Sequence, residues 1–241
     1  MLALGMIAAL AMPGTAQATP QLGDLGVKQS MSVKASNGES LEGKDLRAIQ
    51  LATYTAASVD GNTIVGYDLT TNTALASDIT AAAKAAGATD TNLTVNGKND
   101  PMVWVVKNLT DSRSDPWSGK LRNFCNSLAK QTNFAKQDGT AVSTLSQDKA
   151  TMSTGNVLVP GIYAIVDRTP ATTTLSSGTA IKTTASIMMM NGTAVNGVNQ
   201  LRTAGGTTLT LGQVIYKVSN VESPDKKSTS AVPGKTAHPK R

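Results

Sequence analysis

The first part of the chain alternates between apolar and polar positions. Over residues 27–35 the apolar members fall on one side and the lysines and serines on the other. This period of two predicts a half-buried strand. Two more strands are predicted at about residues 46–54 and 63–69. The turn signal Asp60–Gly61 between them predicts a hairpin.

The pattern becomes helical between about residues 73 and 135. A helix is predicted over residues 73–87, where apolar positions recur on one face and a glycine ends the run. Two shorter helices are predicted to begin at Asp100–Pro101 and Asp115–Pro116, because Asp suits the cap and Pro the first helical position. Residues 131–139 are predicted to form a loop.

Strands resume after this helical stretch. Residues 161–166 are almost continuously apolar and follow Pro160. A short apolar run with turn residues at both ends predicts a strand that is buried on both faces. Further strands are predicted at residues 183–190 and 213–221. Strands, then helices, then strands without regular alternation favour an antiparallel β-sandwich with a helical insertion at about residues 73–135.

The two ends of the chain differ from this central part. Residues 1–18 combine an apolar run with the small-residue sequence Ala16-Gln17-Ala18, which predicts a secretory signal peptide. The alternative is a buried N-terminal helix, since no Lys or Arg precedes the apolar run. Residues 19–223 are predicted to form one domain, and residues 224–241 a disordered basic tail.

Charge and composition exclude several functions. The net charge is +6, and the tail holds four of these charges, so we expect no nucleic-acid surface on the folded part. His238 is the only histidine and lies in the tail, and Cys125 is the only cysteine. The chain therefore offers no histidine-based catalytic triad and no zinc site. We expect no enzyme activity, no metal and no cofactor, and we interpret Cys125 as a core residue.

Three motifs in order resemble a known family. They are Asp100-Pro-Met-Val-Trp104, Gly161-Ile-Tyr-Ala-Ile-Val-Asp167 and Gly212-Gln-Val-Ile-Tyr-Lys217. Over about residues 19–227 the chain resembles the N-terminal domain of sortase-assembled fimbrial shaft subunits of Gram-positive bacteria, especially actinobacteria. The resemblance implies an Ig-like, Cna-B-like sandwich that is secreted and displayed on the cell surface.

The resemblance also implies a role for one lysine. In that family a sortase cleaves one subunit and transfers its acyl group to a lysine of the next, which builds a covalent fibre. The matching position here is Lys217, with Lys226 and Lys227 as further candidates. The proline that usually precedes this lysine is absent, so an ordinary surface lysine is the alternative. The implied partners are other pilin subunits and a pilus-specific sortase.

Related domains carry an internal Lys–Asn isopeptide bond that a buried carboxylate catalyses. The resemblance implies Asp167 as the carboxylate, Lys28 or Lys34 as the amine and Asn220 as the amide. Both lysines fall on the polar side of an alternating strand, so solvated surface lysines are the simpler interpretation.

One departure from the family and one alternative function stay open. The sequence ends at Arg241 without a sorting signal, and we expect a truncated gene product. The alternative function is a minor pilin or adhesin that binds host glycan or matrix protein. Exposure of Trp104 or Trp117 would favour that alternative, since aromatic rings stack on sugar faces.

Overall fold

The computed structural model describes most of the central part of the chain. The described residues are 20–36, 39–95, 97–109, 119–170, 172–174, 180–183, 189–202, 206, 208–216 and 220–222. For residues 172–174, 180–183, 189 and 220–222 it describes the backbone only. The protein is mainly β, with several sheets and a few helices, which confirms the predicted fold class.

The strands and helices are numbered in chain order. The strands are β1 Gln21–Leu22, β2 Ser32–Ala35, β3 Leu46–Asp60, β4 Thr63–Thr71, β5 Thr94–Val95, β6 Lys98–Asn99, β7 Thr140–Val142, β8 Thr144–Leu145, β9 Thr151–Ser153, β10 Gly161–Asp167, β11 Thr172–Thr174, β12 Ala180–Thr183, β13 Met189–Gly192, β14 Gln200–Arg202, β15 Thr208–Thr210, β16 Gln213–Tyr216 and β17 Asn220–Glu222. The helices are α1 Ala76–Ala85, α2 Pro101–Asn108, α3 Lys120–Leu128 and α4 Thr132–Ala135, with 3₁₀ turns at Thr73–Leu75 and Asp90–Leu93.

One large sheet has a layer on each face. Its strand order is β13-β10-β3-β4-β14-β15, and β1 and β7 also pair with β3. The helices cover one face, where residues such as Leu51, Ile79 and Phe124 form the larger core. The smaller sheet β16-β2-β9-β8 covers the other face, where Val33 and Ile165 belong to a second core. Burial of these apolar side chains supplies the main driving force for folding.

Strand β10 connects the two cores, as its continuous apolar sequence predicts. Ile162 and Ala164 lie in the helical core, whereas Tyr163 and Ile165 lie in the core between the two sheets. Since successive side chains point to opposite faces, Asp167 falls on the same side as Tyr163 and Ile165. The strand pairs with β3 on one side and β13 on the other. A carboxylate thus lies at the end of a strand that is buried except at Val166.

The predicted N-terminal strands are present. Gln29, Met31, Val33 and Ala35 are buried and Lys34 is exposed, which confirms the alternation over residues 29–35. The predicted start at residue 27 is wrong, because Val27 is exposed and the strand begins only at Ser32. Strand β3 is longer than predicted and runs to Asp60, where the predicted hairpin follows. Gly61 has a φ of +57°, a left-handed conformation that favours glycine in such a turn.

Several elements differ from the sequence prediction. Two strand pairs are parallel, β2 with β16 and β4 with β14. The segment predicted as a loop at residues 131–139 contains the short helix α4. The short strands β1, β5, β6, β7, β8, β9, β11, β14 and β15 were not predicted. The single strand predicted at residues 213–221 is split between two sheets, because β16 pairs with β2 and β17 pairs with β12.

Only part of the second short helix is described. Its described part, α3, starts at Lys120 and buries Phe124, Cys125 and Leu128 as predicted. The motif Asp115–Pro116 lies outside the described residues. The helices nevertheless fall within the predicted insertion at residues 73–135.

Candidate functional site

A tight turn before β3 brings a lysine to the end of β10. The backbone N–H of Lys44 donates to the carbonyl of Leu41 over 3.1 Å, and Gly43 has a φ of +76°. Leu46 then pairs with Asp167 in the sheet. The segment is held further because Asp45 N–H donates to Thr169 Oγ1 over 2.8 Å. Lys44 is thereby fixed beside the carboxyl end of β10.

Lys44, Asp167 and Tyr216 form a buried polar cluster, which we call the Lys44 cluster. The Lys44 Nζ atom lies 3.8 Å from Asp167 Oδ2, and the two side chains are only 2% and 1% exposed. The Tyr216 hydroxyl donates a hydrogen bond to the same Oδ2 atom. The other oxygen, Oδ1, accepts from the backbone N–H of Thr169 over 2.8 Å. Both carboxylate oxygens therefore have donors, as a buried charge requires.

The cluster joins three parts of the chain. Lys44 precedes β3, Asp167 ends β10, and Tyr216 ends β16, which is the strand that pairs in parallel with β2. The Lys44 ammonium also lies 5.8 Å from the centre of the Tyr216 ring, within the range of a cation–π contact. The cluster thus connects the large sheet to the small sheet by polar contacts inside an otherwise apolar core.

Burial changes the proton affinity of this cluster. Desolvation lowers the pKa of Lys44, and the negative charges of Asp167 and Glu39 only partly oppose it. The Tyr216 pKa is raised, first by burial and then by its hydrogen bond to Asp167. Glu39 carries an Oε2 atom that is buried without a hydrogen-bond partner among the described residues. A lysine with a lowered pKa holds more neutral amine, which is the nucleophilic form.

The structure places a different lysine beside Asp167 from the two that were predicted for the internal bond. Lys28 and Lys34 are exposed, and the lysine whose ammonium lies next to Asp167 is Lys44. Sequence reasoning missed Lys44 because it lies in a turn, where no period assigns a side chain to a face. Its position just before the buried strand β3 was the available signal.

The other residues predicted for the internal bond are Asp167 and Asn220. Asp167 is buried, as the resemblance implied for the catalytic carboxylate. Asn220 begins β17, and its backbone pairs with Thr183 of β12. The structure describes no side-chain position for Asn220, so the predicted amide role stays a prediction.

The candidate acceptor lysines lie beyond the described part of the chain. Lys217, Lys226 and Lys227 are all outside the described residues. The residue directly before Lys217 in sequence is Tyr216, which is 1% exposed and belongs to the Lys44 cluster. The chain is therefore fixed in the core one residue before the leading candidate.

The tryptophans and the cysteine provide no exposed site in the described region. Trp104 is 8% exposed and packs in the helical core, so its ring is not a free surface for a sugar, while Trp117 lies outside the described residues. Cys125 is buried, and burial raises the pKa of its thiol to about 11, which confirms the interpretation as a core residue.

Metal-binding groups and membrane-spanning helices are both absent from the described residues. Among the described residues, no group of three or more His, Cys, Asp or Glu side chains is placed to hold a metal ion. No helix in the described part of the chain is long and apolar enough to cross a membrane.

Comparison with known proteins assigns no family. No protein-family model matches the chain, and no curated protein matches it significantly.

Proposed function

We propose that this chain is the N-terminal domain of a structural subunit in a covalently polymerised fimbria on a Gram-positive cell surface. In this function Lys217 accepts the acyl group that a pilus-specific sortase delivers from another subunit. The domain carries load and positions the lysine, and the sortase performs the chemistry. The proposal rests on the order of the three sequence motifs, together with one structural observation.

That observation is the anchoring of the chain directly before Lys217. Strand β16 is bonded to β2 along its backbone, and Tyr216 is buried and hydrogen-bonded to Asp167. A lysine that links subunits must transmit force into its own domain. Attachment next to a strand fixed in the core suits that task, because the force then acts on a sheet and its core.

A transpeptidation assay tests whether Lys217 accepts an acyl group from a sortase. The purified protein is incubated with a pilus-type sortase and a labelled peptide that carries an L-P-x-T-G-type motif. We expect label on the wild type, loss of label in Lys217→Ala, and unchanged labelling in Lys34→Ala, an exposed lysine distant in sequence. Label that moves with Lys226→Ala or Lys227→Ala instead would reassign the acceptor. Absence of label on all variants, with a control pilin labelled in parallel, would contradict the function.

The Lys44 cluster also supports a revised proposal for the internal bond. We propose that the Lys44 amine forms an amide bond inside the domain, in place of the predicted Lys28 or Lys34. In one route the amine attacks the protonated Asp167 carboxyl group, and one water leaves. In the other it attacks the Asn220 amide, Asp167 transfers the proton, and one ammonia leaves. Either bond would link the turn before β3 to another strand covalently.

Intact-mass measurement distinguishes these routes. A mass reduced by one water assigns the bond to Asp167, and a mass reduced by one ammonia assigns it to Asn220. Lys44→Met should have the full mass calculated from its sequence in both cases. Asn220→Ala should have its full calculated mass only if the bond is to Asn220. An unreduced wild-type mass would show that the cluster is an ion pair without a covalent bond. That result would leave the sortase assay unaffected.

A further inference from the structure

An open groove lies at the end of the molecule where β3 turns into β4. It holds about 440 Å³ and is lined by residues of β1, of the β3–β4 turn and of a second tight turn at residues 195–198. We call it the hairpin groove. Its apolar lining residues are Leu22, Val59, Val195 and Val198.

The walls of the hairpin groove are held together, and one apolar side chain stands open beside it. The backbone N–H of Gly23 donates to the carbonyl of Ala57 over 2.9 Å. Gly23 also lies so close to the second turn that an added Cβ atom would be 2.6 Å from Val195 Cγ1. Leu22, the next residue along, is 82% exposed. A partner that covers Leu22 would therefore remove apolar surface from water, which is favourable.

The charge of the hairpin groove is negative. In the described part of the chain the charged residues that line it are Asp24 and Asp60, and neither is buried. The Asp24 carboxylate is oriented because its Oδ1 atom accepts from the N–H of Gly26 over 2.8 Å. Complementary charge steers a partner to its site and selects against partners of the same charge. The groove thus favours a basic segment that also carries an apolar residue.

The chain itself contains a segment of this chemistry. Residues 224–241, the basic tail, hold five lysine or arginine residues and one aspartate. The apolar stretch Ala231-Val232-Pro233 lies between the first and the last of these basic residues. The basic tail therefore matches the hairpin groove in charge and in apolar character.

The hairpin groove and the last described strand lie toward opposite ends of β3. The groove is at Asp60, the last residue of β3, whereas Leu46, the first, pairs with Asp167. Fifteen residues of extended strand span about 45 Å. Tyr216 is bonded to Asp167, and β17 begins four residues later, at most about 14 Å away. The chain thus leaves its last described strand far from its own groove.

We infer that the hairpin groove binds the basic tail of a second copy of this chain. The lysines of the tail approach Asp24 and Asp60, and its apolar stretch covers Leu22. Copies then associate end to end. Because such a contact joins two different surfaces and leaves one of each open, it continues into a row of copies. The association needs no covalent bond, so the inference does not depend on the sortase reaction.

Sedimentation velocity of the full chain tests the inference. At about 0.2 mM protein in low salt we expect a series of species larger than a dimer, which about 0.5 M salt disperses by screening the charges. The double variant Asp24→Asn with Asp60→Asn should weaken association about tenfold, and Leu22→Ser should weaken it to a similar extent. Asp68→Asn is the matched control, since Asp68 is an exposed aspartate of the same hairpin that does not line the groove. It should stay within about twofold of the wild type.

Mixing two defective variants tests the end-to-end geometry. A tail variant with Lys226→Ser, Lys227→Ser and Lys235→Ser should not associate alone, and neither should the groove double variant. Their mixture should form dimers of one copy each and nothing longer, because only one intact groove and one intact tail meet. A monomeric wild type overturns the inference, as would result if each tail bound its own groove. Undiminished association of the groove variant, or long rows in the mixture, also overturns it.

Discussion

At the scale of single residues, the Lys44 cluster depends on each charge having its partner. Removing one member of a buried ion pair leaves an uncompensated charge, which costs about 3–5 kcal/mol. Asp167→Asn keeps the size of the side chain and removes its charge. We expect it to lower the free energy of unfolding by about 3 kcal/mol, measured by urea denaturation.

Two further variants control this prediction. Asp45 pairs with Arg47, but their side chains are 41% and 34% exposed, so Asp45→Asn should change stability by less than about 0.5 kcal/mol. The double variant Lys44→Met with Asp167→Asn removes both charges. It should be more stable than Asp167→Asn alone. A double variant that is no more stable would show that packing, and not the lone charge, causes the loss.

The tyrosines permit a comparison of used and unused hydroxyls. Tyr54 has a buried hydroxyl without a partner among the described residues, whereas Tyr163 donates to the carbonyl of Val159 over 2.9 Å. Tyr54→Phe should raise the free energy of unfolding by about 1 kcal/mol, since it removes an unsatisfied polar group. Tyr163→Phe should lower it by about 1 kcal/mol. Thermal melts of both variants check this, and effects of equal sign would contradict it.

At the scale of elements, helix α4 is capped by a residue far from it in sequence. The buried carboxylate of Asp78 in α1 accepts from the backbone N–H of Phe134 over 2.8 Å and from Asn133 Nδ2 over 3.0 Å. Asp78→Ala leaves these donors unpaired, and we expect a loss of about 2 kcal/mol with early hydrogen exchange in α4. Asp90→Ala removes only an exposed ion pair with Lys84 and is the control.

The hydrophobic pattern predicted those elements whose burial depends on residues within one short stretch of sequence. The alternation around Met31 and the apolar run of β10 each fix which side chains are buried, and both predictions are confirmed. Helix α4 was missed because its cap comes from Asp78, which no sequence window contains together with Phe134. The parallel pairing of β2 with β16 was missed for the same reason, since it joins the two ends of the domain.

At the scale of the whole molecule, the resemblance pointed to the carboxylate of the candidate site and not to its lysine. Asp167 ends a strand whose burial can be read from its residues. Lys44 lies in a turn, and its burial results from the way that β10 and β16 close over it. A site assembled from three distant segments depends on tertiary packing. The roles of Asp167, Lys217 and Asn220 stay predictions.

The stability of the whole domain should fall steeply in alkali. Burial raises the pKa of all four tyrosines, that of Tyr163 to about 12, from the ordinary value of 10.0. Above pH 10 the unfolded chain therefore binds fewer protons than the folded protein, so the free energy of unfolding decreases as the pH rises. Lys44 has the opposite effect, because its pKa in the folded protein is lowered from 10.5. Its contribution to the free energy of unfolding therefore increases with pH, but this increase is complete near pH 10.5. Urea denaturation at about pH 9 and about pH 11 should show the loss, with tyrosinate absorbance appearing only as the protein unfolds. Tyrosinate absorbance in protein that keeps its native circular dichroism would contradict the prediction, because it would mean that these hydroxyls ionise inside the fold.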